Sequence, residues 1–344
     1  MTYLFQVLKS VVKELFMREA QYYLKESNRK VKCLLCPHYC LIEPESSGIC
    51  RTRTNIDGIL YARNYGKTVT ISMDPIEKKP LYHYYPGKDI LSIGPNSCNM
   101  RCDFCQNYAI SQLDSNTTEL SPQNLLDLCL KHNVPFVAYT YTEPLTWFEY
   151  ILDASQLLLA HDIKSVLVTN GFINPEPLAE LLPTIDAMNI DLKGMSDDFY
   201  RSLCTGRLQP VLDTIKAASE KCHIEITNLL IPGENDTPEM IDALIDFLSD
   251  ISPDIPLHFS RYFPQYKRHN QPTPTKSLET AFEKAKKKLN YVYLGNVLTT
   301  DEGNTYCPNC NALLVERKNY NTLIHKLQGN RCSVCSTVIY GKFN

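Results

Sequence analysis

The sequence predicts an α/β fold: a partial (β/α) barrel of the TIM type, with an N-terminal cysteine-rich region before it and a C-terminal zinc-ribbon-like module after it. Three observations predict this. From Ile90 to Val297, short apolar or β-branched runs alternate about seven times with amphipathic segments, the pattern of a parallel sheet with helices outside it. Polar and charged residues recur at the carboxyl ends of successive strand candidates, where barrel chemistry sits. Eleven of the fourteen cysteines fall into three tight groups, and two of those groups flank the alternation. A doubly wound open sheet is the competing architecture, but no dinucleotide-type glycine fingerprint follows the first strand.

In chain order, "MTYLFQVLKSVVKELFMREAQYYLKES" (residues 1–27) carries charges throughout at helical spacing. It is expected to form an amphipathic helix packing on the domain behind it, not a signal peptide. Residues 1–89 add the first cysteine group and a turn-rich segment with strand-like runs, "GILYARNYGKTVTISMDPIEKKPLYHYYPG", and 90–302 form the barrel. The barrel's strand candidates are "ILSIG", "PFVAYTYT", "SVLVTN", "AMNIDL", "HIEITNLLI", "PLHFSRYF" and "YVYLGNV". Helix candidates between them include "SPQNLLDLCLKH", "PLTWFEYILDASQLLLAH", "NPEPLAELLP", "SDDFYRSLC", "TPEMIDALIDFLSD" and "SLETAFEKAKKKL", several opened by Ser, Thr, Asn or Pro. Residues 303–344 hold the last cysteine group. "DPIEKKPLYH" (Asp74 to His83) is dense in titratable groups. It is either a cap on the barrel mouth touching substrate through Lys78, Lys79 or His83, or a surface turn with a salt bridge.

Composition narrows the function classes. In 344 residues, 44% are hydrophobic and 21% charged, and the net charge is −3, which argues against a broad nucleic-acid or anionic-membrane footprint. No run of eighteen apolar residues occurs, so no membrane partner is expected. With no secretory signal the expected compartment is the reducing cytoplasm, where close thiols are metal ligands rather than disulfides. Cys129, Cys204 and Cys222 stand apart from the groups and are expected to be small buried hydrophobes.

The last group, Cys307-x2-Cys310 and, after twenty-one residues, Cys332-x2-Cys335, pairs two knuckles that can offer four thiolates to a tetrahedral zinc. Its module is too short for a core of its own, so the metal would supply folding energy. The first group, Cys33, Cys36, Cys40 and Cys50, also offers four thiolates with His38 nearby, and both zinc and an auxiliary iron–sulfur cluster fit it. The middle group differs. Cys98-x3-Cys102-x2-Cys105 supplies three thiolates, which can hold a [4Fe–4S] cube with one iron left open to an exogenous ligand.

"CNMRCDFC", with Phe104 just before its third cysteine, resembles the signature of radical S-adenosylmethionine (SAM) enzymes. The order "TYTEP", "LVTNG", "IDLKGM", "LLIPGEND", "PLHFSRYFP" is similar to that of pyruvate formate-lyase activating enzymes. "CLLCPHYC", "DPIEKKPLYHYYPG", "CQNYAISQ" and "YCPNC" are similar to the radical SAM member of the AmmeMemoRadiSam system, from about Cys33 to the end. The resemblance implies that Cys98, Cys102 and Cys105 hold the catalytic cluster and that SAM chelates its fourth iron. It also implies SAM contacts from Phe104, Glu143, Thr169, Asn170, Asp191, Lys193 and His258. Two positions depart from the pattern: Thr142 replaces the glycine before the acid, and Thr227 aligns with an arginine of the activating enzymes.

The residue types suit the ligand. SAM needs an acid for its ammonium, a cation for its carboxylate and polar groups for its ribose, and Glu143, Lys193 and Asp191 are of those types. The expectation is an enzyme that reductively cleaves SAM to a 5′-deoxyadenosyl radical, which abstracts hydrogen from an unidentified substrate, with a protein among the candidates. Its expected partners are an electron donor such as a flavodoxin or ferredoxin, and Memo-like and AMMECR-like proteins. Two alternatives stand beside it. One is an activase that generates a glycyl radical on a partner enzyme. The other is a non-enzymatic, metal-stabilised binding module for nucleic acid or protein, suggested by the locally basic "ERKNYNTLIHKLQGNR".

Overall fold

The computed structural model describes residues 17–297, 301, 303–318 and 320–343. Its centre is one eight-stranded sheet: β1 (Thr70–Pro75), β2 (Asp89–Gly94), β3 (Phe136–Tyr139), β4 (Lys164–Thr169), β5 (Ala187–Asp191), β6 (His223–Leu230), β7 (Leu257–Arg261) and β8 (Val292–Gly295). The strands lie in that order, β2 to β8 all parallel and β1 antiparallel on the edge. All seven predicted strands are present. The eighth comes from the segment before residue 90, so the sheet begins earlier than the domain boundary expected there.

The crossovers carry α1 (Pro122–His132), α2 (Phe148–Leu159), α3 (Pro175–Leu181), α4 (Leu208–Ser219), α5 (Pro238–Ile251) and α6 (Thr275–Ala285). Sequence chemistry sets their starts. Ser121 Oγ accepts from Asn124 N at 3.1 Å and Thr237 Oγ1 from Met240 N at 3.3 Å, each followed by proline at the first helical position. The predicted helix at "SDDFYRSLC" is a single turn, Asp197–Phe199, running into a π-helical turn, Tyr200–Cys204.

Alternate residues of each strand serve two cores, as the period of two requires. Leu91, Ile93, Val137, Leu167, Met188, Ile190, Ile224 and Ile226 pack with the helices in the larger core. Ile90, Phe136, Ala138, Val166 and Ala187, near the amino ends of their strands, instead enclose Ile76, Leu81 and Tyr84. The segment between β1 and β2 therefore enters the barrel from below and fills its lower half. This corrects both readings of "DPIEKKPLYH": it neither caps the mouth nor forms a surface turn. Lys79 is 2% exposed and bonded to Asp74 at 2.8 Å, and His83 is fully buried, while Lys78 is 42% exposed.

The C-terminal module (303–343) packs beneath the barrel. Tyr85 N donates to Lys342 O, Lys342 N to His83 O, and Arg317 Nη2 to Tyr82 O at 2.6 Å. The N-terminal region sits against α2 and α3, through the buried Arg53–Glu149 ion pair and Asn174 Nδ2 to Leu34 O. The helix expected over 1–27 lies partly outside the described residues. Of the described part, Arg18–Glu19 and Tyr23–Lys25 are strands, paired with Ile59–Ala62 and Val31–Cys33. Tertiary pairing outweighs the helical charge spacing there.

Candidate active site

The loop after β2 carries the three spaced cysteines, and its other residues fix its path. Gly94 ends the strand, and a Cβ there would lie 2.2 Å from Thr140 O, so only glycine lets the ends of β2 and β3 approach. Asn96 ties the loop to its own return: Nδ2 donates to Ile110 O at 2.6 Å and Oδ1 accepts from Ser115 N at 3.0 Å. Asn99 Nδ2 reaches Phe172 O at 2.7 Å, and its Oδ1 accepts from Asn170 Nδ2 at 2.9 Å. Arg101 N and Asp103 N donate to Cys204 O and Leu203 O, joining the loop to the π-helical turn.

The three thiols differ in their surroundings. Burial pushes the Cys98 thiol well up, with the Glu143 charge adding to it. Cys102 is raised well above its ordinary value first by a hydrogen bond with Cys204 and then by burial. Burial also raises Cys105, whose Sγ lies 3.2 Å from Ser111 Oγ. Cys204 is a neighbour that the sequence reading missed: it was expected to be an ordinary core cysteine, and it is fully buried beside the triplet.

Lys193, just beyond β5, is bonded to Asp191 Oδ2 at 2.8 Å. Burial opposes its charge, but Asp191 and the sulfurs of Cys102 and Cys204 outweigh it and hold the ammonium well above its usual range. Its backbone is clamped by Lys193 N to Tyr200 Oη at 3.0 Å and by Asn235 Nδ2 to Lys193 O at 2.7 Å. That is the local task of "GEND" after β6.

Glu143 sits 2% exposed at the exit of β3. Its Oε1 accepts from Thr169 Oγ1 at 2.6 Å and Leu145 N at 3.0 Å, and its Oε2 from Asn170 N at 2.8 Å. Burial raises its pKa to about 7, although these three bonds and Lys193 pull the other way. Thr169 and Asn170 thus join the site through Glu143 and Asn99. Phe104 is 4% exposed and packs against Phe199 with ring centroids 6.1 Å apart. Of the departures, Thr142 Oγ1 donates to Pro95 O, and Thr227 Oγ1 to Asn189 Oδ1 at 3.0 Å.

His258 is the second residue of β7, in register through Thr227 with Asp191, and its Nε2 lies 2.7 Å from Glu225 Oε2. Glu225, which the sequence reading did not single out, also takes His223 Nε2 at 3.0 Å, Tyr82 N at 3.0 Å and His83 N at 2.7 Å. Burial works against its charge, yet the bonds and charges of His223 and His258 hold its carboxyl far below the usual range. This cluster secures the plug to the sheet.

The donor chemistry at the upper site fits an iron–sulfur cluster. Three soft thiols on one loop are enclosed by buried walls, and a lysine and two carboxylates lie in their electrostatic field. Among the described residues, the four ligand atoms of Cys307, Cys310, Cys332 and Cys335 gather within 4.8 Å of one another, a grouping the triplet does not make. Ligands of a cube sit on separate irons and are spread wider than those of one ion.

A family model, the radical SAM superfamily, matches residues 92–248. An uncharacterized protein of Methanocaldococcus jannaschii, MJ0808, is 42% identical over 332 residues, covering 94% of this chain and 99% of its own. The chain belongs to the radical SAM superfamily. It is an enzyme, and membership implies a [4Fe–4S] cluster and SAM. A radical SAM methyltransferase from Sphaerobacter thermophilus shares the fold, with a TM-score of 0.50 at 12% identity, over 61% of this chain and 67% of that one. A domain of a pyruvate-formate lyase-activating enzyme from Bacteroides vulgatus aligns at 20% identity and a TM-score of 0.41, over 46% of this chain and 98% of its own. No helix among the described residues of this radical SAM enzyme is long and apolar enough to cross a membrane.

Proposed function

We propose that Cys98, Cys102 and Cys105 hold the catalytic [4Fe–4S] cluster and that SAM binds its open iron among Glu143, Asp191, Lys193, Thr169 and Asn170. The observation that carries this reading is the position of Lys193, bonded to Asp191 and in the field of two of the three loop thiols, Cys102 and Cys105. When bound and reduced, the cluster supplies the electron that cleaves SAM to the 5′-deoxyadenosyl radical, which abstracts hydrogen from substrate. The chain's own residues bind and shield. Lys193 offers its charge to the SAM carboxylate and Glu143 its carboxylate to the ammonium, while Asp191 positions Lys193 and presents an acceptor to the ribose. Phe104 backs the loop from the core. His258 stays in this set as the notional contact from β7, in register with Asp191 through Thr227, with its Nε2 held by Glu225.

The same reading places zinc at the C-terminal quartet. The Sγ atoms of Cys307 and Cys335 are 3.5 Å apart, and those of Cys310 and Cys332 3.6 Å. A tetrahedral zinc with bonds of about 2.3 Å needs thiolates about 3.8 Å apart. Thr337 helps by lowering the Cys335 thiol to about 5.

The motifs running from Cys33 to the end support a place in the AmmeMemoRadiSam system, in the cytoplasm, with a protein substrate, a flavodoxin- or ferredoxin-like donor, and Memo-like and AMMECR-like partners. The activase-like motif order supports a second reading, glycyl-radical formation on a partner enzyme, which electron spin resonance of the mixed proteins would reveal. Anaerobically reconstituted protein, reduced with SAM present, is expected to release 5′-deoxyadenosine, and its Cys98→Ala/Cys102→Ala/Cys105→Ala variant none. Wild-type protein with a full iron complement and no product would sink the reading.

A further inference from the structure

The N-terminal cysteines line one small cavity. Cys33, Cys36, Cys40 and Cys50 face it together with Arg53 and Asn99. Backbone N–H groups already point at three of the sulfurs: Leu35 at Cys33, His38 at Cys36 and Ile49 at Cys40. Such bonds favour thiolates, although burial alone pushes all three thiols up. Arg53 is a second, independent sign of an anionic occupant. It is 1% exposed, its Nη1 donates to Gln21 O at 2.7 Å and its Nη2 is paired with Glu149, but its Nε has no partner. A buried guanidinium with a free donor beside four thiols suits a negatively charged group.

The occupant's size follows from comparing the two quartets. The C-terminal sulfurs draw within 4.8 Å of one another, as one tetrahedral ion requires, and the N-terminal sulfurs, though they share a cavity, do not. Nor does this region need a metal to fold. Val31, Leu35, Ile42, Leu60 and Ala62 are buried in the main core, and Arg53 anchors it to α2. The cavity also adjoins the catalytic loop. His38 Nε2 meets Asn99 O at 2.7 Å, Arg101 bonds both Ile49 O and Cys98 O, and its guanidinium feels the sulfurs of both Cys50 and Cys98.

We infer that Cys33, Cys36, Cys40 and Cys50 bind a second [4Fe–4S] cluster, not zinc, beside the first. With four thiolates no iron is open, so this centre does not take SAM, and the chemistry left to it is to carry electrons to its neighbour. One electron enters from a low-potential one-electron donor, which is oxidised. The centre is reduced by that electron and reoxidised on passing it to the cluster at 98–105, with no bond or proton changed at the quartet. Half-buried Cys36 and Cys40, beside exposed Tyr39, mark the entry side. The relay role rests on the reading of the 98–105 site, but iron binding at the quartet does not.

The full-length Cys98→Ala/Cys102→Ala/Cys105→Ala protein, reconstituted anaerobically, tests it. It is expected to retain about four irons and about four sulfides with about one zinc per chain, and to show a reduced-cluster spin-resonance signal that SAM leaves unchanged. Adding Cys36→Ser and Cys40→Ser should remove that iron, and if this second variant does not fold, the first alone decides. Two zincs and no iron, loss of all iron with the triplet, or a retained signal that shifts with SAM would each overturn the inference. A wild-type failure to make 5′-deoxyadenosine would count against the active-site reading and leave these metal counts untouched.

Discussion

If Glu143 receives the SAM ammonium as proposed, SAM affinity should depend on pH in one direction. Without ligand its pKa lies at about 7, because burial outweighs the three donors around it. A SAM ammonium favours the ionised form, so binding expels the proton and affinity rises with pH. With a pKa of about 7, roughly a tenth of the group is ionised at pH 6 and roughly nine-tenths at pH 8. The apparent Kd should therefore tighten about tenfold across that interval and level off above it. Glu143→Gln removes the titration while keeping an acceptor for Thr169 or Leu145, and as the reference protein it cancels the titration of SAM's own amine. The ligand-free protein carries the reciprocal trace. A carboxyl raised from 4.5 to about 7 contributes stability that is fully present below pH 4.5 and lost as pH rises through 7, about 3 kcal/mol in all. Equilibrium dialysis of SAM against cluster-loaded wild type and Glu143→Gln, from pH 6 to 8, measures the difference in slope. Equal slopes would refute the assignment of Glu143 to the ammonium.

Three further outcomes follow from the geometry. Glu225→Ala strips the acceptor from two histidines and two backbone N–H groups in a sealed layer, and should cost about 3–5 kcal/mol in chemical denaturation; a cost near zero would deny the cluster its part in holding the plug. Gly94→Ala forces a Cβ against Thr140 O, and should strip iron from the chain even where folded protein is recovered, as metal analysis would show; full iron loading would contradict the close-approach argument. Stripping metal from the C-terminal quartet with a chelator should lower the unfolding temperature by at least ~5 °C, since Cys307 and Cys332, two of the buried residues of that module's small core, are among its ligands. An unchanged midpoint in calorimetry would mean the module folds without metal.

The seven parallel strands were legible because such strands are buried on both faces and appear as apolar runs between capped helices. β1 reads as a strand-like run, but its place in this sheet was hidden, since Thr70 to Met73 are partly or largely exposed on the sheet edge and its partner lies across the plug. The three-cysteine loop after β2 was legible from spacing alone, whereas its supports, Asn96 and Asn99, look like ordinary loop asparagines until their partners at 110, 115, 170 and 172 are placed. Cys204 escaped notice as a lone cysteine in a helical context. Glu225 was hidden inside "HIEITNLL", where only the same-face pair His223 and Glu225 hints at a buried polar knot.

The plug between β1 and β2 has a consequence for traffic. Ile76, Leu81 and Tyr84 stopper the amino-terminal end of the described barrel, which is also bolted to the C-terminal module. A ligand lodged among the loops at the carboxyl ends of the strands therefore has no route through the floor. It would have to come from the loop end or past the edge strands β1 and β8, which do not pair with each other.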